Sequence, residues 1–200
     1  MSAKGYTTKV DVEAYMGKAV PSTATAFIDV WIESVEQMIE KITDRVFKAD
    51  ATASERVYDG QGGVRQKFDE FVIDSETTPG VTIKLGEEEP RTTVAAGDFR
   101  IYPNNQENKN TIDLKSATFN LGNQNVRITA KWGAYKAVPA DIKLAATIIV
   151  AGLVNNSSPD KGAMRSESFG AYSVTYATEK GWGDFNNAKQ IVAARKRFTF

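Results

Sequence analysis

The spacing of apolar residues changes twice along this chain of 200 residues. Between positions 23 and 46 they recur every three or four residues, which is the spacing of one face of an α-helix. Between 55 and 135 they alternate with polar residues, as in strands with one buried face, and after 138 the helical spacing returns. The sequence therefore predicts an α+β fold: a mainly α-helical bundle with an inserted antiparallel β region between the second and third helices.

Capping residues help to place the predicted helices. Gly17 ends the first one, because glycine readily adopts the left-handed conformation found just past many helix ends. Asp141 suits the first turn of the third, where a carboxylate meets the positive end of the helix dipole. In the long second helix we expect Trp31 and Met38 to pack in the core. The four predicted helices cover residues 9–17, 23–46, 138 to about 154, and 185–197.

Short alternating segments make up the predicted β region. Glycine, asparagine and proline lie between them, as in tight turns, and the absence of intervening helical segments favours an antiparallel sheet. The predicted strands are residues 56–58, 66–73, 81–85, 99–102, 111–115 and 126–132. We therefore treat residues 1–200 as one subunit, with a helical core and C-terminal arm formed by 1–54 and 136–200 and a β-rich insertion formed by 55–135.

The chain contains neither histidine nor cysteine. These residues supply most zinc sites, thiol nucleophiles and proton transfer near neutral pH, so we predict no enzymatic activity, no metal and no cofactor. The 25 Lys and Arg residues balance the 25 Asp and Glu residues, so no net charge attracts nucleic acid. No apolar run reaches the roughly 18 residues of a membrane span, and the first ten residues lack a signal-peptide core. We expect cytoplasmic synthesis and no membrane partner.

Three local motifs each have a chemical and a structural interpretation. The glycine-rich run 58–63 resembles a phosphate-binding loop but lacks its lysine, so a hairpin turn is favoured. The three glutamates 87–89 are a candidate calcium site, but adjacent side chains do not converge, so a solvated acidic turn is favoured. Tyr102, Trp132 and Tyr135 are a candidate sugar-stacking surface, for which packing in the core is the simpler explanation.

Seven short segments, each common by itself, follow one another in a distinctive order. They are 6–17 (YTTKVDVEAYMG), 35–47 (VEQMIEKITDRVF), 58–60 (YDG), 102–104 (YPN), 125–133 (NVRITAKWG), 138–142 (VPADI) and 166–176 (SESFGAYSVTY). This succession covers nearly the whole chain. It resembles the head-tail connector proteins of the adaptor type, which sit below the portal of tailed bacteriophages. The β region 55–135 is long compared with that of small members of this family, and an outer collar is one role for it.

The resemblance implies a structural subunit of the virion neck that joins head to tail. Its partners would be further copies of itself in a closed ring of about a dozen subunits, the portal protein, and a tail or stopper protein. DNA would pass through the ring without sequence-specific binding. Two alternatives stay open: another phage neck, tail-completion or decoration protein, and a carbohydrate-binding or carbohydrate-active β-rich domain.

The C-terminal segment is the predicted contact with the portal or a neighbouring ring. Residues 155–162 are polar and rich in helix breakers, so the segment after them is expected to leave the subunit. An extended stretch and a basic, aromatic C-terminal end follow, which suit addition to a sheet edge and an acidic, partly apolar partner surface. In the alternative, the last helix folds back on its own subunit. The predicted contact residues are Tyr172, Val174, Tyr176, Lys189, Arg195, Lys196, Arg197, Phe198 and Phe200.

Overall fold

The computed structural model describes residues 4–157, 165–169, 172–176 and 179–197. The chain divides into two compact units, which we call the helical unit (Met1–Arg45 and Val138–Phe200) and the sheet unit (Val46–Ala137). The helices are α1 (Lys9–Met16), α2 (Ser22–Thr25), α3 (Ile28–Thr43), α4 (Ala140–Asn156) and α5 (Glu179–Ala194), with a 3-10 turn at Ala96–Asp98. The strands are β1 (Ser54–Gly60), β2 (Arg65–Val72), β3 (Thr82–Leu85), β4 (Thr92–Val94), β5 (Phe99–Tyr102), β6 (Lys109–Leu114), β7 (Gly122–Trp132), β8 (Arg165–Phe169) and β9 (Tyr172–Tyr176).

The predicted mainly α-helical bundle with a β insertion is wrong. The described part of the chain is mainly an antiparallel β-sheet accompanied by five short helices. The 16 residues of α3 give a long periodic signal and the 17 residues of α4 a long apolar one, whereas a strand of three residues such as β4 gives almost none, so the sequence overstated the helices. Strands β8 and β9 also pair with each other within the helical unit, which is therefore not purely helical.

Strand β7 organises the sheet unit. Its eleven residues pair antiparallel with β1, β3 and β2, and the sheet continues from β2 through β6 to the edge strand β5. In the fully described segment 46–137 the seven strands follow the order β4-β3-β7-β2-β6-β5, with β1 also on β7. The predicted hairpin turn at 58–63 is wrong, because β1 and β2 do not pair with each other: β1 pairs with β7, and β2 pairs with β6 and the end of β7.

The sheet unit encloses an aromatic core. Trp132 and Phe71 meet edge to face with ring centroids 5.9 Å apart, and Phe68 and Phe119 do so at 5.5 Å. The Trp132 indole N–H donates to the Ser54 carbonyl oxygen at 2.8 Å, so its polar atom is satisfied. The buried core residues are Phe68, Phe71, Ile73, Val81, Ile83, Phe99, Ile101, Ile112, Leu114, Phe119, Val126, Ile128, Ala130 and Trp132. All of them belong to the sheet unit, which therefore has an interior of its own.

The helical unit is built around α4. Residues Ala145–Ala146 and 148–151 are buried on successive positions because α1, α3 and α5 all lie against this helix. Helix α1 begins at a capping box between Thr8 and Asp11 and ends at Gly17, whose φ of 66° confirms the predicted helix end. Although α4 is apolar, no helix in the described residues is both long and hydrophobic enough to cross a membrane.

A buried carboxylate fixes the N-terminal segment to α3. The two oxygens of Glu36 accept hydrogen bonds from the backbone N–H groups of Lys4 and Tyr6, at 2.6 and 2.7 Å. The Tyr6 hydroxyl donates to Glu40 at 2.6 Å, and its ring is fully buried. Hydrogen bonds to a charged acceptor are stronger than neutral ones, which explains how a buried acidic side chain is tolerated here. The segment that precedes α1 is thus part of the folded helical unit.

Candidate assembly interface

Strand β9 carries three of the predicted contact residues. Tyr172, Val174 and Tyr176 lie at alternate positions of the strand, and their backbone pairs antiparallel with β8, in register from Phe169 opposite Tyr172 to Arg165 opposite Tyr176. One edge of β9 is thus occupied within the chain. Strand addition by a partner would have to use the other edge of β9 or an edge of β8.

Helix α5 carries the basic part of the prediction. It packs on α4 and α3 and buries Phe185, Ala188 and Val192. The Arg195 guanidinium binds the Asp141 carboxylate, with both its Nε and an Nη within 2.9 Å of one oxygen. These contacts show that the last helix folds back on its own unit, the alternative that the sequence left open.

The charged residues near the end of α5 differ in exposure. Lys189 and Lys196 are exposed, and Arg197 is half-buried where its backbone N–H donates to the Thr43 carbonyl oxygen at 2.8 Å. Phe198 and Phe200 lie outside the described residues. The exposed basic side chains in this part of the chain are therefore Lys189 in α5 and Lys196 just after it.

The start of α3 exposes an aromatic surface that the sequence analysis missed. Phe27 and Val30 are 55% and 59% exposed, and the ring of the half-buried Trp31 stacks on Phe27 with centroids 6.0 Å apart. We call Phe27, Val30 and Trp31 the aromatic patch. We predicted that Trp31 and Met38 pack in the core; Met38 is buried, whereas Trp31 is only partly so. The sequence could have predicted this surface, because the apolar Val30 lies on the side of the helix opposite Ile28 and Ile32.

A second apolar surface lies where two loops of the sheet unit meet. Leu121 and Val64 are 83% and 53% exposed. Their loops are joined by backbone hydrogen bonds from Gly62 N–H to Phe119 O at 2.6 Å and from Phe119 N–H to Gly63 O at 2.8 Å. We call Val64 and Leu121 the apolar tip. The sequence predicts turns in this region and carries no local signal that Gly63 pairs with Phe119, 56 positions later.

The glycine-rich run 58–63 uses its backbone donors within the sheet unit. Gly60 N–H donates to the Asn125 side-chain oxygen at 2.7 Å, and Gln61 N–H to that of Gln66 at 3.2 Å. A Cβ on Gly60 would lie 1.9 Å from the Asn120 carbonyl oxygen, so glycine is needed here for a close backbone approach. The N–H groups of Gly60, Gln61 and Gly62 are thus bonded within the sheet unit and do not form a phosphate cradle.

The other two chemical motifs are also structural in the described chain. Arg91 binds Glu89 and donates to the carbonyl oxygens of Gly86 and Glu87, which closes the acidic turn between β3 and β4. No group of three potential metal ligands comes together within the described residues. Trp132 is 1% exposed, so its ring has no free face for a sugar.

A cleft of about 370 Å³ lies in the sheet unit between β5 and the loop that precedes β3. Tyr102, Arg100 and Glu76 contribute to its lining. Next to it the fully buried Lys109 amine donates to the Glu76 carboxylate at 3.0 Å and to the Pro103 carbonyl oxygen at 2.9 Å. These bonds satisfy a buried cation that would otherwise be strongly destabilising, and they give the amine a structural role.

The chain shares its fold with a chain in the solved structure "Neck of empty GTA particle computed with C6 symmetry". The similarity covers 100% of this chain and 94% of the other, with a TM-score of 0.58 and 12% sequence identity. At this identity the likeness establishes the fold alone. No protein-family model and no curated protein matches the sequence.

Proposed function

We propose that this chain is a structural subunit of the neck of a phage-like particle. The observation that carries the proposal is the match in fold over the whole chain to a neck chain of a gene transfer agent, a phage-like particle. That neck was described with sixfold symmetry, and a neck subunit of this kind works as one copy in a closed ring. The proposed location is the virion, after synthesis in the host cytoplasm.

The finer proposal is the adaptor role, in which a ring of about a dozen copies docks below the portal and joins it to the tail or to a stopper protein. The ordered sequence segments quoted above support this role. The helical unit would supply the contact, through the exposed Lys189 in α5, through Lys196 just after it, and through the β8–β9 pair. DNA would pass through the ring without sequence-specific binding.

We also propose that the chain has no catalytic role. A neck subunit has to bind its neighbours and needs no reactive group, and the sequence has neither histidine nor cysteine. Among the alternatives, a tail-completion or decoration protein would fit a neck-like fold almost equally well and is separated from the adaptor by its position in the particle. The carbohydrate-binding alternative loses its central aromatic residue, since Trp132 is buried.

A charge-reversal variant tests the proposed contact. Lys189→Glu with Lys196→Glu alters two exposed side chains, one in α5 and one just after it, and leaves the buried Phe185, Ala188 and Val192 in place. We expect the double variant to keep its melting temperature and to bind portal-bearing heads at least about ten-fold more weakly, because charged contacts at an interface are lost and reversed. The matched control is Lys18→Glu with Lys67→Glu, which reverses two other exposed lysines.

The same experiment separates the neck assignment from the proposed contact with the portal. If neither variant changes binding to heads, the proposed contact through Lys189 and Lys196 is wrong. The neck assignment is then unaffected, because it rests on the match in fold. If the wild-type chain binds neither heads nor tails and is absent from particles, the neck assignment is wrong.

A further inference from the structure

Strand β5 leaves one edge of the sheet unpaired in the fully described segment 46–137. It pairs only with β6, and it is the last strand in the order of the sheet. The N–H and C=O groups along such an edge are those to which a further strand can bond. The cleft of about 370 Å³ runs along this edge, because all four residues of β5 line one side of it and the loop before β3 lines the other.

The hydrogen bonds between β5 and β6 show which backbone groups face the cleft. Lys115 N–H donates to the Asp98 carbonyl oxygen at 2.8 Å, just before β5 begins. Residues that exchange hydrogen bonds alternate along an antiparallel pair, so Arg100, two residues after Asp98, also directs its backbone groups at β6. The N–H and C=O groups of Phe99 and Ile101 therefore point away from β6 and toward the cleft.

A buried cation fixes the two walls of the cleft relative to each other. The Lys109 amine donates to Glu76 in the loop wall at 3.0 Å and to the Pro103 carbonyl oxygen, just after β5, at 2.9 Å. The loop is also closed on itself, since Asp74 N–H donates to the Pro79 carbonyl oxygen at 3.2 Å. The cleft is thus formed before any partner binds, so little further ordering is needed on binding.

Arg100 gives this edge a positive charge near its middle. Its side chain is exposed and forms no ion pair with any residue of the sheet unit, all of which is described. The carboxylate of its cross-strand neighbour, Asp113, is already bound by Arg65 through hydrogen bonds of 2.6 and 2.5 Å. Across the cleft, Glu76 is paired with Lys109. The remaining positive charge of Arg100 favours an acidic residue in a strand beside β5.

We propose that this cleft binds an extended segment of another protein of the particle, which adds a strand to β5 and places an acidic side chain against Arg100. The backbone groups of Phe99 and Ile101 bond the segment, and Arg100 selects its sequence. Because the backbone of Arg100 bonds β6, the residue opposite it in an antiparallel addition belongs to a non-hydrogen-bonded pair, in which side chains lie closer. The inference rests on the proposed neck function for the source of the segment.

A second copy of this chain does not supply a suitable segment from its acidic run 87–89. Arg91 binds Glu89 and donates to the carbonyl oxygens of Gly86 and Glu87, which closes this run into a turn. A closed turn does not lie along β5 as a strand. We therefore assign the segment to a different protein.

Synthetic peptides test the site on the intact chain. Overlapping short peptides from every protein of the purified particle, this chain included, are measured for binding by fluorescence anisotropy. We expect an acidic peptide from another particle protein to bind, and Arg100→Glu to weaken its binding at least about ten-fold. Replacing the acidic residue of that peptide by lysine should restore binding to the variant. Lys67→Glu, exposed on β2 two strands from this edge, is the control and should leave binding unchanged.

An unchanged affinity of Arg100→Glu for the peptide would overturn the proposed placement of the acidic residue. Methylation of the peptide backbone then tests the mode of binding. An N-methyl group removes a hydrogen-bond donor, so in a strand added to β5 the affinity should fall about five-fold or more at every second residue only. Equal losses at successive residues would overturn strand addition.

The possible outcomes separate this site from the neck function. If wild-type chain is present in purified particles and none of the peptides binds, the strand site is wrong while the neck function stands. If only a peptide of this chain binds, the partner is a second copy, and the assignment to another protein is wrong. If wild-type chain is missing from particles, the neck function itself fails, and the proposed source of the segment fails with it.

Discussion

The helical unit and the sheet unit reach stable interiors by different routes. In the helical unit one helix, α4, is covered by α1, α3 and α5, and each of those helices can be recognised from its local sequence. In the sheet unit one strand, β7, pairs with strands that begin as far as 68 residues earlier in the chain. The comparison teaches that a local signal can locate elements, whereas the arrangement of the sheet depends on long-range pairing.

The largest expected effect comes from the core of the helical unit. Ile39 is fully buried on α3, so Ile39→Asp places a charge without a partner in the interior. We expect a loss of at least about 3 kcal/mol in the free energy of unfolding. Hydrogen exchange should show lost protection in 28–43 and 140–156 and retained protection in 122–132, since the sheet core is made of its own residues. Loss of protection in both units would show that their stabilities cannot be separated.

A glycine substitution tests the sheet unit in the same way. Gly60→Ala would place a Cβ 1.9 Å from the Asn120 carbonyl oxygen and force β1 away from the loop before β7. The expected cost is about 1–3 kcal/mol. Gly97→Ala is the matched control, because its Cβ would meet nothing within 4 Å. Chemical denaturation of both variants measures the difference, and equal midpoints would contradict the tight backbone approach.

Glu36 offers a smaller change in the helical unit. Glu36→Gln keeps the shape of the side chain but replaces one of its two acceptor oxygens with an NH2 donor, so either Lys4 N–H or Tyr6 N–H loses its acceptor. We expect a loss of about 1–2 kcal/mol together with faster amide exchange at residues 4–6. Glu33→Gln, on the half-buried part of the same helix, is the control. Unchanged exchange at 4–6 would show that the N-terminal segment is held by other contacts.

The smallest effect concerns pH. The Lys143 amine, 2.8 Å from Asp11, and the Thr8 hydroxyl lower the pKa of the Asp11 carboxyl below its ordinary value of 3.8. The pair therefore contributes stability above about pH 4 that is lost as the pH falls through the lower folded-state pKa. Because both groups are partly exposed, the contribution should be about 0.5 kcal/mol or less. Lys143→Met should flatten the acid side of the stability curve, and an identical curve would exclude the pair as a cause.

Individual elements followed from the sequence more readily than their arrangement. The end of α1 at Gly17 and the six predicted strands are present, because each has a local cause in its residues. Helix α3 begins at Ile28 and not at 23, since α2 ends at Thr25 and a turn intervenes. β4 and β8 were missed because short strands carry little periodic signal. The dominance of the sheet was missed because strand order depends on contacts that are remote in sequence.

The candidate interface was predictable only in part. Lys189 and Lys196 are exposed, whereas Arg195 binds Asp141 within the same unit. Local residue spacing does not predict an ion pair between residues 54 positions apart. The aromatic patch was predictable from Val30, because this apolar residue lies on the side of α3 opposite its buried residues. The apolar tip had none, since it forms only when the loop at Val64 meets the loop at Leu121.

Cryo-electron microscopy of particles that carry a peptide tag at the N-terminus of this chain tests the central claim most directly. We predict a closed ring of tagged subunits at the neck, between the portal vertex and the tail, with a copy number that is a multiple of six because the similar neck was described with sixfold symmetry. Subunits of the fold described here should fit that density as whole chains. Labelling of the capsid surface or the tail tube, or particles without the tag, would contradict the account.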